Sequence, residues 1–108
     1  MGRYLFISSL GPLATGQSLE TYDLARDLAE KGSDVSLYLI QNGVLGTRER
    51  QHRATLIEAA EKGVKVFVDI DSLESQGLNE EDLPSELSTS VIDGIIDGMA
   101  EGKKVIWN

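Results

Sequence analysis

The chain has 108 residues, 41% of them hydrophobic, with no cysteine and a formal net charge of -8. That length supports one hydrophobic core, so residues 1–108 read as a single domain. The composition excludes disulfides, cysteine-based zinc sites and persulfide carriage, and the charge speaks against a broad nucleic-acid surface.

Met1 to Ser9 holds one basic residue and a short apolar run, without the length or cleavage pattern of a signal peptide. No apolar run approaches the roughly 18 residues of a membrane span. A cytoplasmic protein without membrane contact is therefore expected. The charge is unevenly placed: residues 1–65 balance eight Lys or Arg against eight Asp or Glu, whereas residues 66–102 hold ten acidic residues and no basic one.

Tyr4-Leu5-Phe6-Ile7 is a continuous apolar run, as in strands covered on both faces. The loop Ser9 to Gln17 follows, and Ser18 is placed to cap a helix running to about Lys31. Leu19, Tyr22, Ala25, Leu28 and Ala29 form its inner stripe at helical spacing. Strand two, Asp34 to Ile40, leads into the glycine-containing loop Gln41 to Thr47. A helix from about Arg48 or Arg50 to Lys62 should bury Ala54, Leu56, Ile57 and Ala60.

Strand three, Val64 to Val68, ends on Asp69. Asp71 is then placed to cap a short helix, with Glu74 as its capping-box partner and Gly77 as its stop. A short strand is expected near Glu86-Leu87-Ser88. A last helix, capped by Ser88 or Thr89, carries the apolar stripe Val91, Ile92, Ile95, Ile96 and Met99. Gly94 and Gly98 share one of its faces, and each costs about 1 kcal/mol of helix propensity against alanine, so a packing reason is expected. The final strand ends at Trp107-Asn108.

Three junctions have the form helix, glycine, strand: Glu30-Lys31-Gly32, Glu61-Lys62-Gly63 and Glu101-Gly102. Glycine just past a helix end adopts the left-handed conformation without a Cβ penalty. Such punctuation predicts βαβ units and a mainly parallel sheet of four or five strands with helices on both faces.

These residues, in this order, resemble the DsrE/DsrF-like family of small sulfur-relay proteins. The resemblance rests on Tyr4-Leu5-Phe6-Ile7 and the loop after it, and on Gly32, Val35 and the strand running into Asn42-Gly43-Val44. It rests also on Val66 to Gly77-Leu78 and on the closing Met99 to Trp107. It implies a three-layer α/β/α sandwich related to flavodoxin. Sulfur-carrying members of the family place a cysteine at the end of the third strand, a position that falls on Asp69. A carboxylate cannot accept sulfane sulfur, because the carrier needs a thiolate. The resemblance therefore implies a subunit that carries no sulfur itself. It also implies homo-oligomers, or hetero-oligomers with related subunits.

Asp69 is the candidate catalytic residue, as a ligand-orienting carboxylate or general base beyond a strand's carboxyl end. Its competing reading is a helix cap or structural hydrogen bond. Asp69 and Asp71 lack a third oxygen ligand at a recognisable spacing, so no metal is expected. The basic island Arg48-Glu49-Arg50-Gln51-His52-Arg53 opens a helix, where anions are favoured. Arg48, Arg50 and His52 are candidate anion ligands, with Asn42, Gly43, Ser9 and Gly11 from the adjoining loops. The first loop is neither a Walker A nor a dinucleotide fingerprint, so no cofactor is expected. A small-molecule or anion ligand remains open, and a flavodoxin-like nucleotide binder is the alternative.

Overall fold

The three glycine junctions fix the architecture. In a computed structural model describing residues 2–12 and 17–108, Gly32, Gly63 and Gly102 all have positive φ, as does Gly77. Strands β1 (Arg3–Ser8), β2 (Asp34–Leu39), β3 (Lys65–Asp69), β4 (Ser88–Ser90) and β5 (Lys104–Trp107) form one sheet in the order β4-β3-β2-β1-β5. Every pairing is parallel, with Leu5 opposite Ser36 and Val105, and Tyr38 opposite Phe67. The family expectation of an α/β sandwich on a parallel sheet holds.

Helices α1 (Gln17–Glu30) and α2 (Arg50–Glu61) cover one face. Tyr22 and Ala25 of α1 and Leu56 and Ala59 of α2 pack there on Phe6, Val35, Leu37, Leu39, Val66 and Val68. Burial of each large side chain in this core contributes about 1.5–3 kcal/mol. The opposite face collects Leu5, Ile7, Tyr38 and Ile40, and among the described residues its helix is α4 (Asp93–Ala100). Helix α3 (Ile70–Ser75) sits beyond the end of β3. Among the described residues, no helix is long and apolar enough to cross a membrane.

Several local expectations need correction. Ser18 lies inside α1, buried, rather than capping it. Residues Gln41–Thr47 wind into a 3₁₀ helix rather than a loop. Ala54 of α2 is exposed, and Ala59 takes the buried place with Leu56. Asp71 does not cap α3; Asp69 does, two residues earlier, so Glu74 finds no capping box. Ser88 and Thr89 are in β4, and α4 starts from Ile92 with no side-chain cap.

The largest departure concerns α4. Of its apolar stripe only Ile95 is buried, whereas Val91, Ile92, Ile96 and Met99 are 43–57% exposed. Its glycines supply the reason. A Cβ on Gly98 would meet Leu5 Cδ2 at 3.0 Å, and one on Gly94 would meet the Tyr38 hydroxyl at 2.7 Å. The two glycines let the helix backbone settle onto the sheet, which turns the bulky residues outward.

Candidate functional site

Asp69 ends β3 with extended backbone (φ -68°, ψ 122°). Its carboxylate accepts the Ser72 amide at 3.1 Å and the Ser72 hydroxyl at 2.6 Å. The free amides of a helix's first turn need acceptors, and Asp is among the best. The Ser72 hydroxyl in turn accepts the Gln41 amide at 2.8 Å. Gln41 has φ of +50°, and this bond holds it there. The Gln76 side-chain amide donates to Asn42 Oδ1 at 2.8 Å, so α3 is sewn to the segment after β2 at two points.

The start of α2 repeats this arrangement. Glu49 is its N-cap and accepts the His52 amide at 2.8 Å. The same carboxylate takes a short hydrogen bond from His52 Nδ1. The two His52 contacts hold Glu49 below the usual carboxylate range, the backbone one contributing most. His52 is 6% exposed and stands edge-on to Tyr22, and its Nε2 has no partner among the described residues. Burial, reinforced by Glu49, pushes the Tyr22 phenol far up, so it stays neutral. A carboxylate whose pKa is depressed by folding adds stability that is present above its unfolded pKa and lost as pH falls through the folded value. Urea unfolding across acid pH should therefore show a steeper loss for the native chain than for Glu49→Gln. Parallel curves would contradict this role of Glu49.

Each of these helix starts is thus filled by the chain's own carboxylate. The expectation that the amides opening α2 draw an external anion meets this obstacle: Glu49 already stands there. The sequence does not announce Glu49 as a cap, because Glu is not among the residue types that N-caps favour.

The loops after β1 and β2 are closed in a comparable way. The sheet winds from β1 through β4 in one direction and places β5 on the other side of β1. The switch point, where open α/β sheets form their crevice, therefore lies between the ends of β1 and β5. Asp69 is two strands away, roughly 10 Å. At the switch point the Ser9 amide and hydroxyl both donate to the Asn108 carbonyl at 2.9 Å. Trp107 Nε1 donates to the Ser9 hydroxyl at 3.3 Å, and the Asn108 side-chain amide donates to Thr21 Oγ1. Gly43 is buried with its Cα pressed on the Ser8 carbonyl, and Gly11 is buried against Asn42. The segment 13–16 of the first loop lies outside the described residues.

Arg48 and Arg50 are exposed. Arg48 lines a cleft with Thr47, Arg53, Asn79, Asp82 and Leu83, and Arg50 lies outside its lining. Arg53 donates to the Thr47 carbonyl at 3.2 Å and to the Asp82 carbonyl at 3.1 Å, tying the two walls together. Of the candidate anion ligands, the fold brings Ser9, Gly11, Asn42 and Gly43 to the strand ends, buries His52 beneath α1, and leaves the two arginines outside. The sequence places Arg53 in the basic island but does not announce its tie to Asp82, 29 residues away.

Comparison with known proteins agrees with this architecture. The ychN protein of E. coli is similar at 14% identity over 100% of both chains, with a TM-score of 0.88. A protein of unknown function from Methanobacterium thermoautotrophicum is similar at 18% identity over 100% of both chains, with a TM-score of 0.78. A conserved protein of unknown function from Bacteroides thetaiotaomicron is similar at 11% identity, covering 98% of this chain and 94% of its own, with a TM-score of 0.78. At these identities the likeness speaks for the fold alone. None of the curated proteins matches. The sequence pattern of the DsrE/DsrF-like family, however, matches residues 2–107, and the chain belongs to that family.

Proposed function

We propose that this chain is a DsrE/DsrF-like subunit that carries no sulfur itself and works by assembling with copies of itself or with related subunits. The observation that carries the proposal is the uncovered α4 layer. A parallel sheet buries both faces, yet among the described residues one eight-residue helix, α4, spans the second face. Ile92, Ile96 and Met99 form a seam at helical spacing on its outer side. Val105 and Trp107, the latter 58% exposed, flank it on β5, and the half-buried Phe67, stacked on the buried Tyr38, lies on the other flank. A contiguous exposed apolar face of this kind marks an interaction surface. Asp69, at the family's thiol position, is committed to capping α3, which fits a subunit without sulfur chemistry and disfavours a free general base.

Sedimentation equilibrium of the purified chain tests the assembly. The expected result is self-association at micromolar concentration, or stable capture of a related subunit added in equal amount. A monomer at high concentration that also ignores such subunits would remove the proposal.

A further inference from the structure

The cleft beside Arg48 carries an unsatisfied positive charge in an acidic protein. The chain holds 18 Asp or Glu against 10 Lys or Arg. Among the described residues Lys31, Arg48, Arg50, Arg53, Lys62 and Lys104 have no ion-pair partner, and of these Arg48 and Arg53 share a cleft. Arg26, by contrast, meets Asp23, Asp27, Glu30 and Glu58 within 4 Å. Arg3, Lys65 and Lys103 are likewise paired. Among the described residues, neither Arg48 nor Arg53 has an ion-pair partner, although both line one cleft of about 300 Å³.

Of the acids on the neighbouring segment, Asp82 lines the cleft and Glu80 and Glu81 do not. One wall is the junction between the 3₁₀ helix and α2. The other is the segment from Gly77 to Leu83. Arg53 spends one terminal nitrogen on the carbonyls of the two walls, which holds the cleft at its present width. Among the described residues, its remaining fork and the Arg48 guanidinium have no hydrogen-bond or ion-pair partner. Glu80 and Glu81 sit on the same segment but do not line the cleft, and the Asn79 carboxamide oxygen is occupied with the Glu81 amide. Leu78 and Leu83 back the site with apolar surface. Planar guanidinium forks match oxyanions, in bidentate fashion where the geometry allows.

We infer that this cleft binds a small oxyanion, a phosphate or carboxylate group, through Arg48 and Arg53. The site needs no helix amides, since Glu49 fills the start of α2, and it does not depend on assembly through α4. Asp82 lines the cleft as well, and its negative charge opposes the anion.

The test is titration of the full chain with inorganic phosphate and, separately, with malonate at matched ionic strength, followed by amide chemical shifts. The inference expects saturation at about 1–10 mM by at least one of the two. The shifts should centre on residues 47–53 and 77–83. Saturation by phosphate alone assigns a phosphate group, and by malonate alone a carboxylate. Arg48→Gln, an exposed change that leaves the fold in place, should weaken binding roughly tenfold. Asp82→Asn should tighten it a few-fold. No saturable shift with either anion, or an affinity that Arg48→Gln leaves unchanged, would overturn the site.

Discussion

Gly43→Ala should unfold the protein or leave it barely stable. A Cβ at this position would lie 2.1 Å from the Ser8 carbonyl oxygen and 2.9 Å from its carbon. Both are backbone atoms, and the Ser8 carbonyl is also bonded to the Ile40 amide at 3.0 Å. No side chain can swing aside to relieve the contact. The segment after β2 would have to lift off the end of β1, giving up the buried Val44 and the hydrogen bond from Gln41 to Ser72. Overpacking of a site that cannot relax costs more than the usual 1–3 kcal/mol, a large part of a small domain's stability. Gly77→Ala is the control. It has φ of +70° but nothing within 4 Å, so only backbone strain of about 1 kcal/mol is expected. Urea denaturation of both variants checks the ranking. A Gly43→Ala protein as stable as Gly77→Ala would contradict the close approach.

The second large effect concerns association. The double variant Ile92→Asp, Ile96→Asp should stay folded and lose self-association or subunit capture by at least about 100-fold. Both residues are 57% exposed, so the isolated chain gives up little burial. In an assembly each would place a carboxylate in an apolar contact, next to the acids already on α4, Asp93 and Asp97. Ile95→Asp is the opposite control, because Ile95 is buried and its loss should damage the fold itself. An association constant unchanged in the double variant, measured by sedimentation, would move the interface away from α4.

The contrast between Ile95 and its neighbours shows how far the sequence reaches. Apolar periodicity marks α4 as a helix with an inner stripe, and this is correct for the helix but not for the stripe. Which of five apolar side chains faces the sheet is decided by Gly94 and Gly98, whose missing Cβ atoms seat the backbone on Tyr38 and Leu5. The parallel pairing and the glycine stops follow from local signals that tertiary contacts do not override, whereas the strand order is seen only in the fold. The caps do not. Asp69 and Asp71 are both good N-cap residues, and the choice between them falls to Asp69 because Ser72 bonds it and also anchors Gln41, 31 residues away. The oxyanion cleft was half visible. Arg48 belongs to the basic island, but its pairing with Arg53 depends on where the Asp82 segment lies.

We propose that Asp69 stands where sulfur-carrying members of the family place a cysteine and serves there as a helix cap. Asp69→Cys tests it. The substitution removes the bonds to Ser72, at a cost of about 1 kcal/mol. It also sets a thiol at the start of α3, where the helix dipole lowers a thiol's pKa. The native chain and the variant would each be treated with a low-molecular-weight persulfide donor, and protein-bound sulfane sulfur measured by intact mass. The expected result is no added sulfur on the native chain and one added sulfur atom, 32 Da by its atomic mass (~32), on Asp69→Cys. Sulfur bound stoichiometrically to the native chain would contradict the account.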